Sequence, residues 1–134
     1  MTYEQMVAFW PTPVAAQQMP VVADGMNKAR KYVVSKTLEP TWQNTTVIFE
    51  NVPQAVADLK AATKGTILVS GSGTLVATLL AHDLVDELRL MVFPTILGRG
   101  KRLFPDGIDR RKFRLVEART VGPDGVQVQV YERA

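Results

Sequence analysis

The 134-residue sequence contains no cysteine, which excludes disulfides, a thiolate nucleophile and cysteine-ligated metal or iron–sulfur centres. It contains a single histidine, His82, and one imidazole cannot build a multi-histidine metal site, so no metal is expected. No apolar run reaches the roughly 18 residues of a membrane span. The first residues carry no basic flank ahead of an apolar core, so no secretory signal is predicted. These absences predict a soluble, cytoplasmic protein without a membrane partner.

The composition that remains is typical of a globular protein, with 46% hydrophobic and 22% charged residues. A chain of this length predicts one domain spanning residues 1–134. The net charge is +3, but residues 97–114 alone carry seven basic and two acidic residues. Such a patch could attract phosphates or nucleic acid, and it is equally typical of a solvated basic loop. The solvated loop is favoured, and no nucleic-acid partner is predicted.

Hydrophobic periodicity and β-branched runs predict alternating helices and strands. Helices are predicted over residues 2–9, 21–30 and 51–63, and a fourth helix is predicted to end near residue 82. Strands are predicted over residues 31–35, 45–49, 66–70, 87–93, 112–120 and 126–131. The 66–70 strand is apolar without alternation, as expected of a strand covered on both faces. The last strand alternates cleanly, which indicates a half-exposed antiparallel strand. The pattern therefore predicts an α/β sheet with an antiparallel end.

The most informative segment is Ser70-Gly71-Ser72-Gly73-Thr74-Leu75, where a predicted strand ends in two glycines and a helix begins. Glycine permits unusual dihedrals and close approach of a ligand to the backbone. A helix start offers N–H donors and the positive end of its dipole, which suit a phosphate or pyrophosphate. The same pattern also fits a tight strand–helix turn capped by Ser72. It is not the Rossmann fingerprint, since Val76 stands where the third glycine would be.

Two further loops follow predicted strands. Ser35-Lys36-Thr37 places two hydroxyls around a cation, which suits a phosphate monoester, although a polar turn would look the same. The loop from Pro94 to Lys101 is glycine-rich and basic, and it could close over a ligand or serve as a flexible connector.

These segments, in this order, resemble the dihydrofolate-reductase-like family that includes the reductase domain of riboflavin biosynthesis. The matching stretches are TYE (2–4), FWP (9–11), KYVVSKTL (31–38), LVSGSGTL (68–75), LVDELRL (84–90) and the stretch from Pro94 through LGRGKRLF (97–104). The resemblance implies a mostly parallel sheet with helices on both faces and an antiparallel C-terminal hairpin, lacking the N-terminal strands.

The resemblance also implies a reductase that uses NADPH to transfer a hydride to a small pterin-, folate- or ribosylaminopyrimidine-like substrate, as a 5-amino-6-(5-phosphoribosylamino)uracil reductase does. In the family, the bend at 71–75 holds the pyrophosphate, and the 35–37 stretch lies by the adenosine ribose and its 2′-phosphate. Thr2 matches a threonine that contacts the cofactor phosphates, and the loop with Pro94 and Gly98 lies near the substrate cleft. The cofactor-binding residues implied are Thr2, Ser35, Lys36, Thr37, Gly71, Ser72, Gly73, Thr74 and Leu75.

The sequence departs from the family at its start, because Met1-Thr2 falls inside a Gly-Arg-x-Thr segment. The strands that precede this segment in the family, with the acidic residue of the substrate pocket, have no counterpart, so no catalytic residue is predicted. A misassigned start, pairing with another copy, or a rearranged remnant without catalysis would each account for this. For a folded 134-residue species, a homodimer is expected.

Two other functions remain open at this stage. The first is a non-catalytic nucleotide-binding or assembly module that has lost its active site. The second is nucleic-acid binding through residues 97–114, for which affinity would depend steeply on salt.

Overall fold

The computed structural model describes residues 2–134, and its elements largely follow the predicted order. They are α1 (Thr2–Val7), α2 (Pro13–Gln18), α3 (Pro20–Lys28), β1 (Lys31–Val34), β2 (Thr45–Ile48), α4 (Val52–Ala62), α5 (Gly73–Ala81), β3 (Glu87–Val92), β4 (Phe113–Val121) and β5 (Val126–Arg133). The chain divides into two compact units, Met1–Ser72 and Gly73–Ala134, which are described in turn.

The first unit contains a helix that the sequence analysis missed. Thr12 caps α2: its hydroxyl oxygen accepts from the Ala15 N–H at 3.3 Å, and its O–H donates to the Phe9 carbonyl at 2.6 Å. Pro13 follows at the first helical position, where a missing N–H is harmless. The segment Pro11-Thr12-Pro13 therefore separates the end of one helix from the start of the next. Helices α2 and α3 contact each other, and Ala15 and Ala23 are their buried residues.

Strands β1 and β2 form a parallel pair that runs from Lys31 opposite Thr45 to Val34 opposite Ile48. The pairing continues one residue further, because the Ser35 N–H donates to the Ile48 carbonyl at 3.1 Å. This bond fixes the point at which the chain leaves the sheet and enters the 35–44 loop.

Asn27, near the end of α3, holds two indole-bearing residues in place. Its side-chain amide donates to the Trp10 carbonyl at 3.1 Å, and the Trp42 indole N–H donates to its Oδ1 at 2.7 Å. The Lys31 ammonium donates to the carbonyls of Met26, Asn27 and Ala29, at the C-terminal end of α3, and lies 4.5 Å from the centre of the Trp42 ring. A cation is favoured at this end of a helix, so these contacts anchor the 35–44 loop to α3.

The second unit is an antiparallel sheet in the order β3-β5-β4, with α5 preceding it in the chain. The β4–β5 ladder is interrupted between Leu115 and Glu117, where the register shifts by one residue. The two strands are joined by a turn in which Gly122 and Gly125 both have positive φ. Leu79 and Leu80 of α5 are the buried apolar residues of this unit among those described. The antiparallel C-terminal strand predicted from the sequence is confirmed. Its residues from Val126 to Glu132 are all partly buried, so its sequence alternation is not matched by alternating burial.

The predicted strand at residues 66–70 is wrong as a paired element. The segment joins no ladder, and no hydrogen bond recorded within residues 2–134 involves it. A strand is defined by a neighbour, and no described strand lies beside this segment to supply one. Its apolar sequence is therefore present without the cover that such a sequence normally receives.

None of the helices within residues 2–134 has both the length and the apolar character needed to cross a bilayer.

Candidate functional site

The bend after residues 66–70 has the backbone geometry that its glycines predict. Gly71 has φ of +117°, a conformation that side-chain-bearing residues rarely adopt, and the Gly71–Ser72 peptide bond is cis. A Cβ built on Gly71 would lie 3.6 Å from the Thr2 hydroxyl oxygen. Thr2 and Gly71, which are 69 positions apart in the sequence, are therefore neighbours. Both belong to the set for which the resemblance implies contact with cofactor phosphates.

Helix α5 begins at Gly73, immediately after this bend. No described atom lies within 4 Å of a Cβ built on Gly73, so the space beside its backbone is open. The first turn of a helix presents N–H groups that have no acceptor within the helix, at the positive end of its dipole. Ser72 and Leu75 already interact with other parts of the chain, so Gly73 and Thr74 are the positions best placed to receive a ligand.

The second predicted cluster, at the end of β1, is a hydroxyl-centred turn. The Ser35 hydroxyl oxygen accepts from the N–H of Thr37 at 3.3 Å and from the N–H of Leu38 at 3.1 Å. Its own proton therefore remains available to an incoming acceptor. Lys36 and Thr37 are exposed, and among residues 2–134 the Lys36 ammonium has no recorded ion pair. This donor set suits an anion.

Tyr3, next to Thr2, holds the loop that follows this cluster. Its phenol oxygen accepts from the N–H of Thr41 at 3.0 Å and from the N–H of Trp42 at 2.8 Å. Burial raises the pKa of Tyr3, but these hydrogen bonds together outweigh it, and the resulting pKa lies below the usual value for tyrosine. Desolvation lowers the pKa of Lys31, and attraction to the Tyr3 phenolate opposes that change. Helix α1 therefore places Thr2 beside Gly71 and ties Tyr3 to the 35–44 loop.

The third predicted segment, which begins at Pro94, is an exposed loop. Ile96 is 98% exposed, and Gly98 and Gly100 have positive φ. The proximity of Pro94 and Gly98 to the substrate, which the resemblance implies, stays a prediction.

Part of the basic patch has a structural role that the sequence did not reveal. The Arg111 Nε lies 2.8 Å from the Asp83 carboxylate, and its Nη2 donates to the Ala81 carbonyl at 3.1 Å, at the C-terminal end of α5. Arg102 pairs with Asp106 at 3.2 Å. Arg114 likewise pairs with Glu132 at 3.0 Å. These bonds favour the solvated, structural interpretation of the 97–114 patch, because three of its cations are already engaged by carboxylates of the chain.

Sequence reasoning also missed a groove of about 430 Å³ within the second unit. Leu80, Phe104 and Tyr131 are among its lining residues, and none of the predicted cofactor residues lines it. The available signal was the apolar group Phe104-Pro105 inside a basic stretch.

Comparisons with known proteins extend these observations. The RibD C-terminal domain family matches residues 1–127 of this chain. The Uncharacterized protein YyaP of Bacillus subtilis (strain 168) is 33% identical over 103 residues, which cover 77% of this chain and 55% of that protein. The chain thus spans about half the length of this curated relative.

A solved structure from Shewanella sp. PV-4, named for riboflavin biosynthesis, superposes with a TM-score of 0.68 at 21% identity. The match covers 87% of this chain and 71% of that one. It confirms the dihydrofolate-reductase-like α/β fold expected from the sequence, with a parallel strand pair and an antiparallel C-terminal sheet. Because the family match covers nearly the whole chain, this protein belongs to the RibD C-terminal domain family, whose members are reductase-like.

Proposed function

We propose that this chain is an NADPH-dependent reductase domain that reduces a small pterin-, folate- or ribosylaminopyrimidine-like substrate. Family membership supports the reductase class. The observation that carries the proposal furthest is the proximity of Thr2 to Gly71, because it brings together two residues implied in phosphate binding from distant parts of the sequence.

Two separate groups of residues have donors that suit the phosphates of a dinucleotide, one at the start of α5 and one at the end of β1. Open space beside Gly73 allows a pyrophosphate to approach the backbone, and the first turn of α5 supplies donors and a favourable dipole. The Ser35 proton and the Lys36 ammonium would bind the 2′-phosphate, since both are free of competing acceptors among the described contacts. When bound, the dihydronicotinamide supplies the hydride.

The chain's own contribution to the reaction is to bind and orient. Holding a hydride donor and an acceptor in a reactive geometry accounts for much of the rate enhancement in such enzymes. Tyr3 would fix the 35–44 loop, and with it the anion-binding turn at Ser35, through two hydrogen bonds to backbone N–H groups. We assign no catalytic acid to this chain.

Titration with NADPH, followed by the coenzyme's fluorescence, tests the binding part of the proposal. Saturable binding with a preference for NADPH over NADH is expected. Oxidation of NADPH at 340 nm, with pterins, folates and ribosylaminopyrimidines in turn, then tests turnover. Absence of NADPH binding would refute the proposal. Tight binding with no turnover on any of these substrates would favour the alternative, a nucleotide-binding module without catalysis.

A further inference from the structure

Trp42 is the most deeply buried large side chain described in the first unit, and it lies near the end of the 35–44 loop. It is 6% exposed, and the other buried residues described in this unit are two alanines, Ala15 and Ala23. The loop residues on either side of it, Thr41 and Gln43, are exposed. Because loops normally run over the protein surface, a buried indole within one indicates a fixed attachment point.

Asn27 of α3 holds this indole through its side-chain amide. The Trp42 indole N–H donates to Asn27 Oδ1 at 2.7 Å, and the amide nitrogen of Asn27 donates to the Trp10 carbonyl at 3.1 Å. The second bond sets the orientation of the amide, so that its oxygen faces the indole. The Lys31 ammonium lies 4.5 Å from the centre of the Trp42 ring. The indole is therefore held by a hydrogen bond at its nitrogen and by a cation over its face.

The loop is held at two points, and the donors proposed for the 2′-phosphate lie between them or at the first of them. At the first point, the Ser35 N–H is bonded to a carbonyl of β2 at 3.1 Å. At the second, the Trp42 N–H donates to the Tyr3 phenol oxygen at 2.8 Å. Among the described contacts, the hydrogen bonds made by residues 36–40 are two short-range bonds to the Ser35 hydroxyl. The position of the exposed Lys36 therefore depends on both ends of the loop.

We propose that Trp42 is a positioning residue for coenzyme discrimination: its bond to Asn27 holds the 35–44 loop so that Lys36 and the Ser35 hydroxyl meet the 2′-phosphate. This inference rests on the proposed function. A loop released at the Trp42 end samples other conformations, and the apparent affinity falls by the fraction of molecules that keep the competent one. The donors proposed for the pyrophosphate belong to α5 and not to this loop. The loss of affinity should therefore fall on coenzymes that carry a 2′-phosphate.

Trp42→Phe tests this role, because it keeps an aromatic ring beside the Lys31 ammonium and removes the indole N–H. The Kd for NADPH should rise about fivefold, the effect of losing one neutral hydrogen bond, while the Kd for NADH should change by less than about twofold. Adenosine 2′,5′-bisphosphate, which carries the 2′-phosphate without a nicotinamide, should lose affinity by the same factor as NADPH. Trp10→Phe is the matched control, since Trp10 binds Asn27 through a backbone carbonyl that the substitution retains. It should leave all three Kd values unaltered.

Asn27→Leu removes the same bond from its other partner and should cause the same selective loss. The double variant Trp42→Phe/Asn27→Leu should lose no more affinity for NADPH than Asn27→Leu alone, because the bond between the two side chains can be lost only once. A structural role unconnected with the loop would instead lower the affinities for NADPH and NADH together, or neither.

The outcomes separate this inference from the proposed function. A wild-type chain that binds neither NADPH nor adenosine 2′,5′-bisphosphate refutes the proposed function, and the positioning role with it. If the wild type prefers NADPH, equal effects of Trp42→Phe on NADPH and NADH overturn the positioning role and leave the reductase proposal in place. A wild type that binds both coenzymes equally, or a double variant whose losses simply add, also overturns it. If Trp42→Phe fails to fold, Asn27→Leu decides between the same outcomes.

Discussion

Replacing Gly73 by valine tests whether the bend at this position binds a ligand or serves only as a structural turn. Gly73 opens α5 with a φ outside the left-handed region, and its Cβ position is open. Valine is a slightly better helix residue than glycine, by about 0.4 kcal/mol, so the free energy of unfolding should stay within about 0.5 kcal/mol of wild type. The branched side chain would occupy the space that the pyrophosphate needs. Loss of two charge-assisted hydrogen bonds, at about 1.5 kcal/mol or more each, predicts that the Kd for NADPH rises at least 100-fold.

The matched control is Gly25→Val. Gly25 also lies within a helix, α3, and no described atom lies within 4 Å of its Cβ position. This variant should leave the Kd for NADPH unchanged. The assay is fluorescence titration for binding and urea denaturation for stability. If Gly73→Val leaves the Kd unchanged, or if binding and stability fall together, the bend does not bind the pyrophosphate and the reasoning fails.

Three other substitutions test neighbouring parts of the argument. Lys36→Glu should weaken the binding of NADPH about tenfold more than the binding of NADH, because the reversed charge near an exposed 2′-phosphate is screened by water and salt. Equal losses of affinity for the two coenzymes would place Lys36 away from that phosphate. In the folded wild type, absorbance at 295 nm should detect one phenol that ionises below the usual tyrosine pKa. Tyr3→Phe should remove this ionisation. Because the folded-state pKa is lowered, the stability due to ionised Tyr3 is present above the unfolded pKa and is lost as pH falls through the folded pKa. A wild-type titration identical to that of Tyr3→Phe would contradict the bonding described for the phenol. Arg111→Met should lower the free energy of unfolding by about 1–2 kcal/mol in urea denaturation, through loss of the bonds to Asp83 and to the end of α5. Its control, exposed Arg110→Met, should change stability by less than about 0.5 kcal/mol, and equal effects of the two would contradict the capping role.

The local elements were largely predictable because their causes lie in the sequence itself. The apolar periodicity of α4 and the alternation of β5 are properties of consecutive residues, and both elements are confirmed. The glycines of the 70–75 segment likewise predicted a bend at the start of a helix. The missed helix α2 has a local cause as well, because Thr12 and Pro13 carry its start signal, but its six residues show too little periodicity to stand out.

By itself, then, the sequence determined the order and type of most elements, the absence of thiol chemistry, and the glycine-rich bend, because each of these depends on residue identity and short-range spacing. Only the tertiary structure decided that Thr2 lies beside Gly71, that Arg111 binds the end of α5, and that residues 66–70 join neither sheet formed within residues 2–134. These outcomes depend on which distant segments meet. An apolar run indicates that its side chains favour burial, and only the folded structure shows whether other elements bury them.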